Sequence, residues 1–181
     1  MKIIVTPDKV HDFHERNDWS LSQRDETFWE AIYRKAFPSL EKIELNEDIS
    51  RQKIGIDRII YLPHGKELLI DEKKRSQVYP DIVLEYCSVD KQKTPGWIEK
   101  DLAIDYLAYA FIPSQQCYLF PWHMLRLAWD KYRKEWHSMA VENKFGYHIV
   151  KAKNADYFTW SVAVPIDDLL QAVSNASLIQ F

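Results

Sequence analysis

The sequence predicts an α/β fold, a mixed β-sheet flanked by helices. Two segments that read as strands, Gly55–Leu62 and Lys66–Arg75, are separated by Pro63-His64-Gly65 and read as a hairpin. Apolar residues at helical spacing recur before and after it, so helical and extended segments alternate along the chain. The resulting order is helix, several strands, helix, strand, helix, two strands, helix, which is the pattern of a sheet covered by helices. At 181 residues the expectation is one domain, 1–181, long enough for a full hydrophobic core.

Residues 1–19 are mixed and polar and read as a loosely attached arm. A helix is expected from about Ser22 to Phe37, with Phe28, Trp29, Ile32 and Ala36 as its apolar stripe, Ser22 as cap and Pro38 as stop. Residues 43–62 and 66–75 read as extended, and Asp81–Cys87 as a further short strand. A second helix is expected over Trp97–Phe111, followed by a strand at Cys117–Phe120, which closes a core spanning 22–120. The remainder, 121–181, reads as a helix over Pro121–Trp136, an antiparallel pair at Tyr147–Lys151 and Phe158–Val164, and a closing helix opened by Pro165.

Composition narrows the function classes. Hydrophobic residues at 46% and charged residues at 28% exclude a disordered chain. A net charge of −3 excludes a globally basic nucleic-acid binder, so a nucleic-acid partner needs a local basic patch. Cys87 and Cys117 form no pairing framework and fit free thiols in a reducing cytoplasm. Tyr106–Leu125 has no charged residue, but Pro113, Gln115, Gln116, Pro121 and His123 argue against a membrane span. No phosphate-binding glycine loop, nucleophile motif or dinucleotide fingerprint is present.

The hairpin carries the chemistry. Alternate residues of a strand share a face, so Asp71 and Lys73 point one way and Glu72 the other. A second register, Glu72 with Lys74, is open; the apolar Leu68-Leu69-Ile70 leading into Asp71 favours the first. A turn at 63–65 pairs positions that sum to roughly 128, which sets Asp57 opposite Asp71 with Cβ atoms ~4.5–5.5 Å apart. Carboxylates that close repel unless a cation or proton lies between them. Such a pair can hold a hard divalent cation, with the Glu72 carbonyl as a further oxygen ligand. A lysine beside it can orient water and offset phosphate charge, an arrangement suited to phosphodiester cleavage. The competing reading is a solvated charge run on an exposed hairpin. The apolar density around the acids (Ile54, Ile56, Ile59, Ile60, Leu68, Leu69, Ile70) tilts the balance towards a central strand pair.

Gly55-Ile-Asp57 followed by Leu68-Leu-Ile-Asp71-Glu-Lys73 resembles the PD-(D/E)XK, or restriction-endonuclease-like, superfamily of nucleases, including members found in phage and bacterial genomes. Residues 22–120 match as an order of elements, and three positions match as identities. Ile56 stands where a proline is common. The resemblance implies a restriction-endonuclease-like fold and an Mg²⁺- or Mn²⁺-dependent endonuclease. In it Asp57 and Asp71 ligate the metal and Lys73 assists the attacking water. Its implied partner is nucleic acid, DNA before RNA, and relatives often dimerise, although no residue marks a dimer face. The alternative is an inactive nucleic-acid- or protein-binding domain on the same fold.

Other candidates flank that group. Glu85 lies in the apolar strand Ile82-Val-Leu-Glu-Tyr and is a candidate extra metal ligand or a partner for Lys73, Lys74 or Arg75. Gln52 is a candidate for the metal shell or phosphate, and Lys74, Arg75, Lys91, Lys93 and Lys100 for phosphate contact. Glu30 reads as a solvated helix residue, and His64 as an exposed turn residue. The His11-x-x-His14 spacing has no cysteine nearby, so a zinc site is rejected. Trp122, Trp129, Tyr132 and Trp136 read as core packing rather than a base-stacking platform.

Overall fold

The computed structural model describes residues 4–5, 26–174 and 177–180. It is mixed α/β, with two sheets and flanking helices. The chain divides into two compact units, each holding one sheet. The six-stranded unit is built from Arg24–Tyr79, Asp101–Leu125 and Val173–Phe181. The five-stranded unit takes Pro80–Lys100 and Arg126–Ala172 together with the first strand. The contiguous 22–120 core expected from sequence is therefore not a unit of the structure, because 80–100 pairs elsewhere.

In the six-stranded unit, helix α1 (Glu26–Ala36) is followed by β2 (Lys42–Leu45), a short helix α2 (Ile49–Lys53), β3 (Arg58–Leu62), β4 (Lys66–Arg75), β7 (Tyr106–Phe111), β8 (Gln116–Pro121) and β11 (Ser177–Gln180). The sheet order is β11-β8-β7-β4-β3-β2; only β4 and β7 run parallel. Trp29, Ile32 and Tyr33 recur at helical spacing and are fully buried. They pack on Ile60, Leu68, Ile70, Ala108, Ala110, Cys117 and Leu119, which are alternate positions of four strands and so form one face. Small side chains at Ala108, Ala110 and Cys117 leave room for the Trp29 and Tyr33 rings, which stack at 5.6 Å. Each such fully buried large side chain contributes roughly 1.5–3 kcal/mol. The Ser22 cap lies outside the described residues.

Two sequence expectations fail here. The run 43–62 is not continuously extended, because Asp48 accepts the Ser50 N–H at 2.8 Å and caps α2. The helix expected over Trp97–Phe111 is absent: 97–99 is a single 3₁₀ turn and Tyr106–Phe111 is a strand. Leu107–Phe111 is buried at every position, so this strand is covered on both faces. A continuous apolar run of that length reads equally as buried helix or buried strand.

The five-stranded unit orders β1-β9-β10-β5-β6, with β1 at Ile4–Val5, β5 at Asp81–Val89, β6 at Thr94–Pro95, β9 at His148–Lys153 and β10 at Phe158–Pro165. The expected antiparallel pair is β9 with β10, and β10 continues onto β5. The long helix α3 (Trp122–Glu142) contributes Trp129 and Trp136, each 3% exposed, in agreement with the core-packing reading. The closing helix α4 is Ile166–Ala172. Among the described residues no helix is long and apolar enough to cross a membrane. Residues 6–19, with His11 and His14, lie outside the described residues.

Gly96 tests the packing of this unit. A Cβ there would lie 2.1 Å from the Glu85 carbonyl oxygen and 2.7 Å from the Tyr86 nitrogen. Both obstacles are backbone, and Gly96 N–H bonds the Tyr86 carbonyl at 3.0 Å, so neither side can yield cheaply. Gly96→Ala is expected to destabilise by about 2 kcal/mol or more in urea unfolding, since forced overpacking typically costs ~1–3 kcal/mol.

Candidate active site

The hairpin places the sequence-named acids as the pairing arithmetic requires. Arg58 pairs with Ile70, and Asp57 N–H donates to the Ile70 carbonyl at 2.9 Å, so Asp57 stands opposite Asp71. Pro63–Gly65 closes the turn with His64 and Gly65 at φ 66° and 70°, and His64 is exposed. Asn46, 5% exposed, holds the entry to the site: its N–H bonds the Asp57 carbonyl at 2.9 Å and its side-chain amide bonds the Ile56 carbonyl at 2.6 Å.

Along β4 the faces separate as a strand demands. Glu72 turns inward on the α1 side. Its carboxylate accepts from Arg58 Nε at 2.6 Å and from the Tyr33 hydroxyl at 2.8 Å, and the Arg58 and Glu72 side chains are 4% and 6% exposed. Asp71 and Lys73 take the other face, and the Lys73 ammonium is paired with Asp71 Oδ1. The Asp71 side chain is 2% exposed and its Oδ2 has no hydrogen-bond partner. Asp57 is half-buried and its Oδ2 accepts the Glu72 N–H at 2.8 Å. The N–H and C=O of one residue in extended backbone leave on the same edge, so the Glu72 carbonyl faces the β3 edge as its N–H does.

Crowding shows in the protonation balance. Burial pushes the Asp57 carboxyl up from 3.8 to about 7; the Asp71 charge and a side-chain hydrogen bond to Asp71 add to the rise, and Lys73 and the Glu72 N–H oppose it only in part. A carboxyl that keeps its proton near neutral pH beside a second carboxylate is a pair short of positive charge. Mg²⁺ commonly takes only one or two protein carboxylates and completes its shell with water and phosphate oxygens. Asp57, Asp71 and the Glu72 carbonyl match that requirement.

The flanking candidates of the six-stranded unit have other partners. Among the described residues no cluster of three or more His, Cys, Asp or Glu is drawn together to hold a metal. Glu85 belongs to the five-stranded unit, where its carboxylate accepts from Ser88 Oγ at 2.5 Å. Gln52 is on α2, and its amide donates to the Asn46 carbonyl at 2.8 Å, a structural brace rather than a site contact. Lys74 lies on the α1 face with its ammonium 5.9 Å over the Trp29 ring, away from Asp71 and Lys73. Arg75 shares the Asp71 face but stacks 4.4 Å over Tyr79 and bonds the Tyr109 hydroxyl at 3.3 Å. Lys91 and Lys93 are exposed in the turn after β5, and Lys100 is half-buried after the 97–99 turn. Glu30 is solvated and paired with Arg34 at 2.7 Å. Cys117 is buried and Cys87 half-buried, both unpaired with each other.

Sequence reasoning missed Arg58 and Tyr33. Arg58 follows Asp57 inside an otherwise apolar strand, and a charge there requires a buried partner. Tyr33 lies four residues after Trp29, on the same stripe of α1. No protein-family model, curated protein or solved structure matches the chain.

A carboxyl whose folded value is raised contributes stability that is complete below its unfolded value and is lost as pH rises through the folded value. The metal-free protein is therefore expected to lose stability from this group between pH ~4 and ~7. Asp57→Asn removes that loss and is expected to be ~1–3 kcal/mol more stable than wild type above pH ~7. Urea unfolding at stepped pH measures both.

Proposed function

We propose that the chain is a metal-dependent nuclease of restriction-endonuclease-like fold that hydrolyses phosphodiester bonds of nucleic acid. The observation that carries this reading is the pair of crowded carboxyls, Asp57 and Asp71, with Asp71 Oδ2 buried without a donor and Lys73 on the same face. Helix α1 ahead of the acids, the β3–β4 hairpin and the parallel strand β7 beside β4 support the fold reading; the absence of a 97–111 helix counts against it.

In this reading Asp57, Asp71 and the Glu72 carbonyl hold Mg²⁺ or Mn²⁺. Bound there, the cation would acidify a water and offset charge on the scissile phosphate. Lys73 stands two residues from Asp71 and 32% exposed, which lets its ammonium leave the carboxylate and orient the attacking water. Asp57 gives up its proton when a cation occupies the pair. The buried Arg58–Glu72–Tyr33 group touches none of the reacting atoms and positions the strand that does.

Differential scanning fluorimetry at pH ~8 with millimolar Mg²⁺ or Mn²⁺, followed by cleavage assays on single-stranded and duplex DNA and RNA, tests the reading. A metal at tenfold excess over its Kd stabilises by ~1.4 kcal/mol. That rise is expected in wild type, absent in Asp71→Asn and retained in Lys73→Ala. Lys73→Ala is expected to lower cleavage by about 100-fold or more. A metal-induced rise without cleavage of any substrate would favour the inactive binding domain. No rise and no cleavage would overturn the site itself.

A further inference from the structure

The five-stranded unit carries a cleft of about 380 Å³ that the Asp57–Asp71 group does not involve. Its lining is Tyr86 from β5, Glu99 from the 97–99 turn, and Trp129, Arg133, Lys134 and His137 from α3. Trp129, Arg133 and His137 follow one another at intervals of four and so share one helical face. Trp129 Nε1–H donates to Glu99 Oε1 at 2.9 Å, and Arg133 Nη1 approaches the same carboxylate at 3.3 Å. Glu99 is thereby tied to the floor of the cleft and sets the direction of the Arg133 fork. The Tyr86 and His137 rings meet edge to face at 5.7 Å and form one wall.

The rim is richer in donors than in acceptors. Lys134 is exposed and has no ion pair among the described residues, and the Tyr86 hydroxyl has no hydrogen bond among them. Arg133 is 45% exposed and only loosely held by Glu99. Guanidinium, ammonium, imidazole and phenol donors therefore face a single carboxylate already engaged by two of its neighbours. That surplus suits an anion with several oxygen acceptors, and a guanidinium fork suits phosphate in particular. The volume falls at the lower end of the ~300–1,000 Å³ range of small-ligand pockets, which is the size of a nucleotide. An aromatic wall beside cations is the surface on which unpaired bases lie.

We propose that this cleft binds one nucleotide of a single-stranded nucleic acid. Arg133, Lys134 and the Tyr86 hydroxyl take the phosphate, and the Tyr86–His137 wall lies along the base. The proposal rests on the nuclease reading only for its choice of nucleic acid as the phosphate's source; the binding itself needs no metal and no cleavage.

Fluorescence anisotropy with a labelled single-stranded oligothymidylate, in EDTA, tests it on the full chain. Wild type is expected to bind. The variant combining Arg133→Ala and Lys134→Ala is expected to bind at least 10-fold more weakly, with its log–log salt slope reduced by roughly 1.4. Tyr86→Phe, which keeps the ring, is expected to weaken binding by a smaller factor. Both altered cations are exposed, so an unchanged melting temperature confirms an intact fold. Binding by the double variant equal to wild type, or no binding by wild type, would overturn the proposal. Asp71→Asn is expected to bind as wild type does. Retained binding with no cleavage by any form sinks the nuclease reading alone, and unaltered binding by the double variant alongside wild-type cleavage sinks this one alone.

Discussion

The Arg58–Glu72 ion pair, 2.6 Å long with both side chains almost fully buried, is the constraint on which the six-stranded unit depends. It joins β3 to β4 beneath α1, and the Tyr33 hydroxyl ties the helix to the same carboxylate at 2.8 Å. A slip of one residue in strand pairing would exchange the faces of every side chain on β4. Glu72 would then leave its partners and Asp71 would enter the α1 core. Removing one partner of a buried pair costs roughly 3–5 kcal/mol, because the other charge is left uncompensated. The pair therefore opposes the wrong register strongly, and the correct one brings Asp57, Asp71 and Lys73 onto the opposite face.

That face follows a different electrostatic logic. On the α1 side Arg58 and Glu72 balance one another, and Glu72 accepts from two donors. On the other side two carboxyls meet with one ammonium between them. Burial raises the Asp57 carboxyl first, and the Asp71 charge raises it further. The same ten-residue strand thus carries a balanced pair inward and an unbalanced one outward. Asn46 and Gln52 reinforce the arrangement from the loop side, holding the backbone just before Asp57 through hydrogen bonds of 2.6–2.9 Å.

The local part of this was legible in the amino-acid sequence, and the non-local part was not. Hairpin arithmetic about Pro63-His64-Gly65 places Asp57 against Asp71, because short-range turns set register with few alternatives. Period two along Leu68–Arg75 separates Glu72 from Asp71 and Lys73. The stripe of α1 and the stop at Pro38 follow from local rules in the same way. Tyr106–Phe111 reads equally as helix because an apolar run alone does not reveal its pairing with β4, whose partners lie 36 residues earlier (106 − 70). The lysines singled out by charge scatter over both units, whereas Arg133, Lys134 and His137 acquire a common setting only once α3, β5 and the 97–99 turn are assembled.

In the proposed site, Asp57 and Asp71 share a deficit of positive charge that a divalent cation would relieve. Isotope-edited infrared spectroscopy of the metal-free protein, with labelled aspartate, reads this directly through the protonated-carboxyl band. Such a band is expected near neutral pH, removed by Asp57→Asn and suppressed by millimolar Mg²⁺. Aspartates that are all ionised at neutral pH and indifferent to Mg²⁺ would contradict it.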